Sequence, residues 1–299
     1  LDLTSSGNGY IICEEFEQDV FVDRKHLNNA FHGDTVTFSL IRSKKRGKKE
    51  GTIEEIIQRS RSTYVGTLEV FDKVFCIQPN NISNQLFLIP KEDTFKAQVG
   101  DRVLVEMVSW KKKSKYPSAK VIEVLGTPGT HDTEIHSIIA THGLPWRFDN
   151  QIEKEAEKLS PEITEEELSK RRDFRDILTL TIDPKDAKDF DDAISFRELK
   201  KDVFEVGIHI ADVSHFVQED SLLDKEAFSR GTSVYLVDRV VPMLPEKLSN
   251  LVCSLRPNEE KYTFSAVFTL NSSGDIIEEW FGRTVISSDN RFSYEEAQH

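Results

Sequence analysis

Residues 1–126 carry one pattern twice, and that repetition limits the fold more than any other feature of the chain. In the first copy Asp19-Val-Phe-Val22 precedes Gly33-Asp34-Thr-Val36, a basic loop follows, and Gly51-Thr-Ile-Glu-Glu-Ile-Ile57 comes last. The second copy runs Gln85-Leu-Phe-Leu88, Gly100-Asp101-Arg-Val103, another basic loop, then Ala119-Lys-Val-Ile-Glu-Val-Leu125. Each copy holds about 60 residues of short β-branched and aromatic segments broken by Gly, Asn and Asp, the texture of a small closed β-barrel. Gly-Asp ahead of an alternating strand such as Val36-Thr-Phe-Ser-Leu40 supplies a turn that sets which side chains face inward.

Past the repeat the texture changes. Residues 127–150 lack periodicity and contain Pro128, Gly129, Gly143 and Pro145, so they read as a connector. Two charged, solvated, clamp-like helices are predicted next, over Asn150–Leu159 and from an N-cap at Thr164 to Arg172. From Ile177 onward strands are predicted at Leu178–Ile182, Ala193–Phe196, Val203–Ile210 and Thr263–Leu270, with a helix near Ser221–Arg230. The chain therefore reads as multidomain: all-β barrels at 1–60 and 61–126, a connector with helices at 127–176, and an α+β domain at 177–299. Ser293-Tyr-Glu-Glu296 has the form of a capping box just ahead of His299, and Leu1 opens no signal-peptide pattern. A portion of a longer protein is expected.

Charge separates the two regions. Residues 1–126 hold 19 Lys and Arg against 17 Asp and Glu, whereas the remainder holds 20 against 35. A near-neutral region with basic loops suits binding, and an acidic region suits carboxylates that need cations. No apolar run approaches the roughly 20 residues of a membrane span, so no membrane partner is expected. The three cysteines, Cys13, Cys76 and Cys253, lie far apart without metal-ligand spacing, which suits a reducing cytoplasm and small core residues.

The basic loops are Arg42-Ser-Lys-Lys-Arg-Gly-Lys-Lys49 and Lys111-Lys-Lys-Ser-Lys115. Beside aromatics such as Tyr10, Phe16, Phe21 and Trp110 they suit single-stranded nucleic acid, with phosphates on the cations and bases on the rings. Solvated hairpin tips over core aromatics are the plain alternative. Gly9-Tyr-Ile-Ile12 and Asp19-Val-Phe-Val22 resemble the two aromatic strand motifs of cold-shock domains, which are oligonucleotide-binding (OB-fold) barrels. Ile11 stands where that family carries a second aromatic. The resemblance implies Tyr10 and Phe21 as RNA-binding rings.

Between the strands ending at Ile182 and starting near Ala193 stand Asp183, Asp186, Asp189, Asp191 and Asp192. Carboxylates packed this densely repel one another unless their pKa values rise or a cation binds. A hard divalent ion such as magnesium takes oxygen ligands and shares its sphere with substrate phosphates, which is what phosphodiester cleavage requires. An acidic surface turn is the plain alternative. An EF-hand is excluded, because no start position gives the alternating oxygen ligands followed by glycine. No phosphate-cradling Gly-rich loop and no defensible Ser/His/Asp or Cys/His arrangement is present.

Thr181-Ile-Asp-Pro-Lys-Asp-Ala-Lys-Asp-Phe-Asp-Asp-Ala193 resembles the signature of the ribonuclease II and ribonuclease R (RNB) family. Val206-Gly-Ile-His-Ile-Ala-Asp-Val-Ser-His-Phe216, Val241-Pro-Met-Leu-Pro245 and Leu251-Val-Cys-Ser-Leu-Arg-Pro-Asn-Glu259 agree with it in order, and favour the ribonuclease R branch. The resemblance implies that Asp183, Asp189 and Asp192 hold Mg2+, and that Asp191 acts on the attacking water, with Asp186 outside the set. It also implies that Tyr235, seven residues before the Pro-Met-Leu-Pro run, stacks on 3′-terminal bases. The plain alternative for that residue is a strand-edge tyrosine with a satisfied hydroxyl. His209, Asp212 and His215 have the spacing of a second metal site, but hydrogen-bonded structural roles are the commoner outcome.

The implied function is Mg2+-dependent, processive 3′-to-5′ hydrolysis of single-stranded RNA with a free 3′ end, yielding nucleoside 5′-monophosphates. The implied location is cytoplasmic, no oligomer is implied, and the catalytic domain is expected to be truncated at His299. The alternative is a noncatalytic RNA-binding or regulatory protein that keeps the fold; retention of all four aspartates counts against it.

Overall fold

Both Gly-Asp turns form as their chemistry requires. Gly33 and Gly100 take φ of 83° and 99°, a region closed to most side chains, and a Cβ on Gly33 would meet Ser60 Cβ at 2.8 Å. The aspartate after each glycine accepts from the backbone three positions earlier: Asp34 from the Phe31 N–H and Asp101 from the Gln98 N–H, both at 2.8 Å. The computed structural model describes residues 1–4, 6–42, 49–80, 85–111 and 114–299. Most of the two basic loops, at 43–48 and 112–113, lies outside the described residues. Contacts divide the chain into two units, Leu1–Leu144 and Pro145–His299.

In the first unit, strands β1 (Asp2–Leu3), β2 (Gly9–Ile11), β3 (Val20–Val22), β4 (Thr35–Ile41) and β5 (Glu50–Gln58) form one sheet in the order β1-β2-β3-β5-β4. Strands β6 (Thr63–Phe71), β7 (Val74–Pro79), β8 (Phe87–Ile89), β9 (Arg102–Ser109) and β10 (Ser118–Gly126) close into a barrel. Among the described residues, closure by strand pairing, expected of both copies, is found in the second alone. The two-residue β1 meets the entry to β4 through Leu1 instead, whose amino group donates to the Asp34 carbonyl at 2.9 Å and whose carbonyl accepts from the Gly33 N–H at 2.8 Å. Phe31, from the first copy, packs in the core of the second against Tyr64, Phe87 and Trp110.

The expected connector at 127–150 contains a helix, α1 (His131–Thr141), packed on β6, β9 and β10. Its buried stripe is Thr133, Ile135, Ser137 and Ile139. Two small polar residues interrupt the apolar period, which hides the helix from a hydrophobic reading.

The second unit opens with α2 (Asn150–Glu157) and α3 (Glu165–Leu168), the latter capped by Thr164, whose hydroxyl accepts from the Glu167 N–H at 3.3 Å. The expectation of solvated helices is corrected for α2, since Ile152 and Ala156 are buried in the main core. The remaining strands are β11 (Arg172–Asp173), β12 (Thr179–Asp183), β13 (Asp192–Lys200), β14 (Val203–Ala211), the short pair β15 (Val234–Tyr235) and β16 (Val240–Val241), and β17 (Glu260–Asn271), β18 (Ile276–Ser287) and β19 (Asn290–Ser293). Seven of them make one sheet in the order β11-β18-β17-β14-β13-β12-β19. Helices α4 (Val213–Phe216), α5 (Leu222–Arg230) and α6 (Tyr294–Ala297) and a π-helical turn at Leu248–Val252 complete it. The core lies on one face of the sheet, where Phe174, Ala193, Ala211, Val267 and Ile286 meet Leu248, Leu255 and α2. Ser293 and Glu296 close the predicted capping box.

Candidate functional site

The acidic residues cluster because β12 and β13 run antiparallel, pairing Thr179 with Ser195 and Leu180 with Ile194. The strands deliver Asp183 at the end of one and Asp192 at the start of the other, with Asp189 and Asp191 on the loop between. A loop this acidic needs anchors. Phe190, buried between two aspartates, supplies the apolar one: its carbonyl accepts from the Leu255 N–H at 2.8 Å, and the Arg291 guanidinium lies 4.8 Å from its ring centroid. The Ser254 hydroxyl accepts from the Phe190 N–H and donates to the Lys188 carbonyl, while Arg291 Nη2 donates to the Pro184 and Lys185 carbonyls. The Asp191 carbonyl accepts from the Ala211 N–H at 2.9 Å, tying the loop to β14. Ser254 lies within the run from Leu251 to Glu259, whose pattern assigns it no role, and Arg291 carries no sequence signal.

The electrostatics follow from this crowding. Asp183 is buried, and burial first, with the Asp192 and Asp189 charges behind it, pushes its carboxyl above the usual range against the pull of the Thr181 side chain and, more weakly, of Arg291. Asp191 opens to solvent at its surface, yet the packing around it, followed by Asp189, Asp192 and Asp183, raises its carboxyl too. Asp183, Asp189 and Asp191 line a cleft of about 730 Å3 whose other wall carries Tyr235 and Pro242. Asp186 also lines it. Asp192 does not, and acts on the group through its charge.

Tyr235 stands 64% exposed on β15, with its hydroxyl donating to Asp189 Oδ2 at 2.8 Å. The bond and the neighbouring carboxylates hold its own pKa up at about 12. It is a strand-edge tyrosine with a satisfied hydroxyl, and the partner that satisfies it belongs to the acidic loop.

The predicted stacking pair lies in the other unit. Tyr10 and Phe21 face each other across β2 and β3 with ring centroids 5.6 Å apart; Tyr10 is exposed and Phe21 half-buried. Trp110 and Phe16 prove structural. Trp110 packs on Phe31 and donates to the Ser114 carbonyl, and Phe16 sits edge-on to Phe38 under Lys49. Ile11 is buried in the core of the first copy with Val20, Val22 and Ile53.

The second metal spacing is filled by a guanidinium. Arg171 Nη1 lies 2.8 Å from Asp212 Oδ2, its Nη2 lies 3.3 Å from His215 Nδ1, and its plane stacks over Tyr262. His209 is wholly buried between the hydroxyls of Ser265, at 2.6 Å, and Ser195, at 2.8 Å. A hollow of about 470 Å3 beside His215 and Tyr262 is lined by none of the site aspartates.

Among the described residues no three His, Cys, Asp or Glu side chains are drawn into a ready-made metal-binding group. Two observations fit a hard cation. Asp183 Oδ2 is buried with no hydrogen-bond partner, and the donors are carboxylate oxygens that raise one another's pKa.

Residues 171–299 match the RNB domain, residues 76–149 the cold shock domain and residues 1–56 the ribonuclease B OB domain. Ribonuclease R of Aquifex aeolicus is 36% identical over 281 residues, which cover 94% of this chain and 40% of that protein. The chain belongs to the ribonuclease R family. The motif resemblance therefore holds along the chain. Within this family, Mycoplasma genitalium RNase R in complex with ribose-methylated single-stranded RNA superposes with a TM-score of 0.88 at 27% identity, over 99% of this chain and 47% of that one. Yeast Ssd1, a pseudonuclease, shares the fold at a TM-score of 0.71 and 21% identity, over 99% of this chain and 44% of that one. The chain spans about 40% of the length of the first of these curated relatives. Among the described residues no helix is long and apolar enough to cross a membrane.

Proposed function

We propose that the protein carrying this chain is a Mg2+-dependent 3′-to-5′ exoribonuclease that hydrolyses single-stranded RNA with a free 3′ end to nucleoside 5′-monophosphates, processively and in the cytoplasm. The observation that carries the reading is the gathering of Asp183, Asp189 and Asp191 on one wall of a cleft whose facing wall presents Tyr235. Family membership and the RNA complex of the Mycoplasma relative support the substrate class.

In this reading Asp183 and Asp189 would hold the cation from the cleft wall, and Asp192, which is not part of the cleft lining, would complete the set. Bound magnesium polarises the scissile phosphoryl oxygen and lowers the pKa of a water. Asp191, whose carboxyl is already raised by its surroundings, accepts or orients the proton of that water. The Tyr235 ring stacks on the 3′-terminal base, and Tyr10 and Phe21 offer sequence-tolerant stacking on the OB-type barrel, as degradation of any sequence requires. The free cysteines suit a reducing compartment.

The shared fold of the yeast pseudonuclease favours a second reading, an RNA-binding protein without catalysis. Retention of all four aspartates stands against it. The test uses the natural full-length protein with 5′-labelled, 3′-tailed single-stranded RNA and Mg2+. Stepwise shortening with release of monophosphates is expected, and Asp191→Asn should abolish it. RNA left intact by the wild type refutes the enzyme; unchanged turnover in Asp191→Asn refutes the site.

A further inference from the structure

The hydrogen bond from Tyr235 to Asp189 spans 46 positions of sequence and joins two walls of the cleft that are built differently. Asp189 sits between Lys188, whose carbonyl Ser254 holds, and the buried Phe190, so its backbone is fixed by the core. Tyr235 belongs to a hairpin of only two paired strands, closed by Leu236 N–H to the Arg239 carbonyl at 2.8 Å, with Val237 at its tip 96% exposed. The core-anchored wall stays in place while the hairpin wall is the freer of the two.

A carboxylate oxygen that accepts a phenolic hydrogen bond presents one lone-pair direction fewer to a cation. Magnesium demands near-octahedral geometry at short oxygen distances, so an oxygen tied to the opposite wall is a poorer ligand than a free one. The phenol offers no compensation, because at neutral pH it is a donor. Asp183 Oδ2, by contrast, has no hydrogen-bond partner.

We infer that the Tyr235 hydroxyl is a latch on Asp189: in the RNA-free protein it competes with the divalent cation for this carboxylate, and a terminal base that stacks on the ring draws the hydroxyl away and releases it. The inference rests on the reading of Asp189 as a cation ligand. One residue then does two separable things, the ring meeting the base and the hydroxyl withholding a ligand until the base arrives. Linkage makes the effect reciprocal, so cation and RNA end favour each other's binding through this bond.

The test is calorimetric titration of Mg2+ alone, without RNA, into wild-type protein and Tyr235→Phe, which keeps the ring and deletes the hydroxyl. Tyr235→Phe should bind Mg2+ roughly three- to tenfold more tightly, the range that one net hydrogen bond supplies. Tyr235→Leu should match it, since it also lacks the hydroxyl, and this covers a failure of the first variant to fold. Equal or weaker binding by these variants overturns the latch. If the wild type binds Mg2+ and Asp183→Asn loses it while Tyr235→Phe changes nothing, the latch alone falls. If neither the wild type nor Tyr235→Phe binds Mg2+, the cation reading falls and the latch with it.

Discussion

The Ser254 hydroxyl accepts from the Phe190 N–H at 3.0 Å and donates to the Lys188 carbonyl at 2.9 Å, so one buried side chain satisfies two backbone groups that flank Asp189. Ser254→Ala would leave the Phe190 N–H unpaired in the interior, at a cost of about 1–3 kcal/mol. Denaturant unfolding should show that loss. Mg2+ affinity should fall in parallel, because the carboxylates on either side of Phe190 lose their fixed backbone; unchanged affinity would mean that the loop holds its shape without the serine.

His209 makes stability depend on pH. Burial drives its ring from 6.5 down to about 4, against a small opposing effect of Glu205. The folded pKa lies below the unfolded one, so the unfolded chain takes up the proton first. The stability tied to the neutral ring is complete above pH 6.5 and is lost as pH falls through the window from 6.5 to 4. Over that whole window the loss amounts to about 3 kcal/mol, to order of magnitude. Urea unfolding at several pH values should show it, and His209→Asn, which cannot titrate, should have a flatter profile there.

Arg171 and Asp212 form a buried pair, their side chains 0% and 1% exposed and 2.8 Å apart. Arg283 approaches the same carboxylate at 3.6 Å. Asp212→Ala leaves Arg171 with Glu167 Oε2, 3.3 Å from its Nη2, as its remaining carboxylate, so the change should cost about 1.5–3 kcal/mol, the range for a hydrogen bond to a charged group. The double variant with Arg171→Ala should cost clearly less than the sum of the two single changes. A double-mutant cycle by chemical denaturation measures this, and additivity would refute the coupling.

Tyr10 is exposed at one edge of the pair it makes with Phe21, and its ring is available to a base. Tyr10→Ala should weaken binding of a single-stranded RNA oligomer by about 1–3 kcal/mol, the contribution of one stacked base. Fluorescence anisotropy at fixed salt reads this directly. The salt dependence should be unchanged, because no phosphate contact is removed; a reduced salt slope would place Tyr10 elsewhere than under a base.

Much of the architecture was legible in advance. The Gly-Asp turns, the strands over Val36 to Leu40 and Val203 to Ile210, and the caps at Thr164 and Ser293 act through near neighbours and formed where their patterns placed them. Which face is buried did not follow: Leu40, Ile208 and Ile210 are exposed while Glu205 and His209 are buried. What escaped had a mixed pattern. Helix α1 buries Thr133 and Ser137, and β18 carries Glu278 and Glu279 within an otherwise strand-like run. Phe31 was invisible as a link between the barrels, because its partners Tyr64 and Trp110 lie in the other copy.

Sequence alone marked the candidates for the chemistry: four aspartates in one loop, an aromatic pair in the first copy, a tyrosine ahead of the Pro-Met-Leu-Pro run. Tertiary structure decided how they are held. Ser254 reaches the loop from more than 60 positions away, Arg291 from more than 100, and Tyr235 meets Asp189 from 46. The reason is physical. Periodicity, turns and caps are set by groups a few residues apart, whereas hydrogen bonds across such separations exist only after the chain has closed its loops and packed a common core.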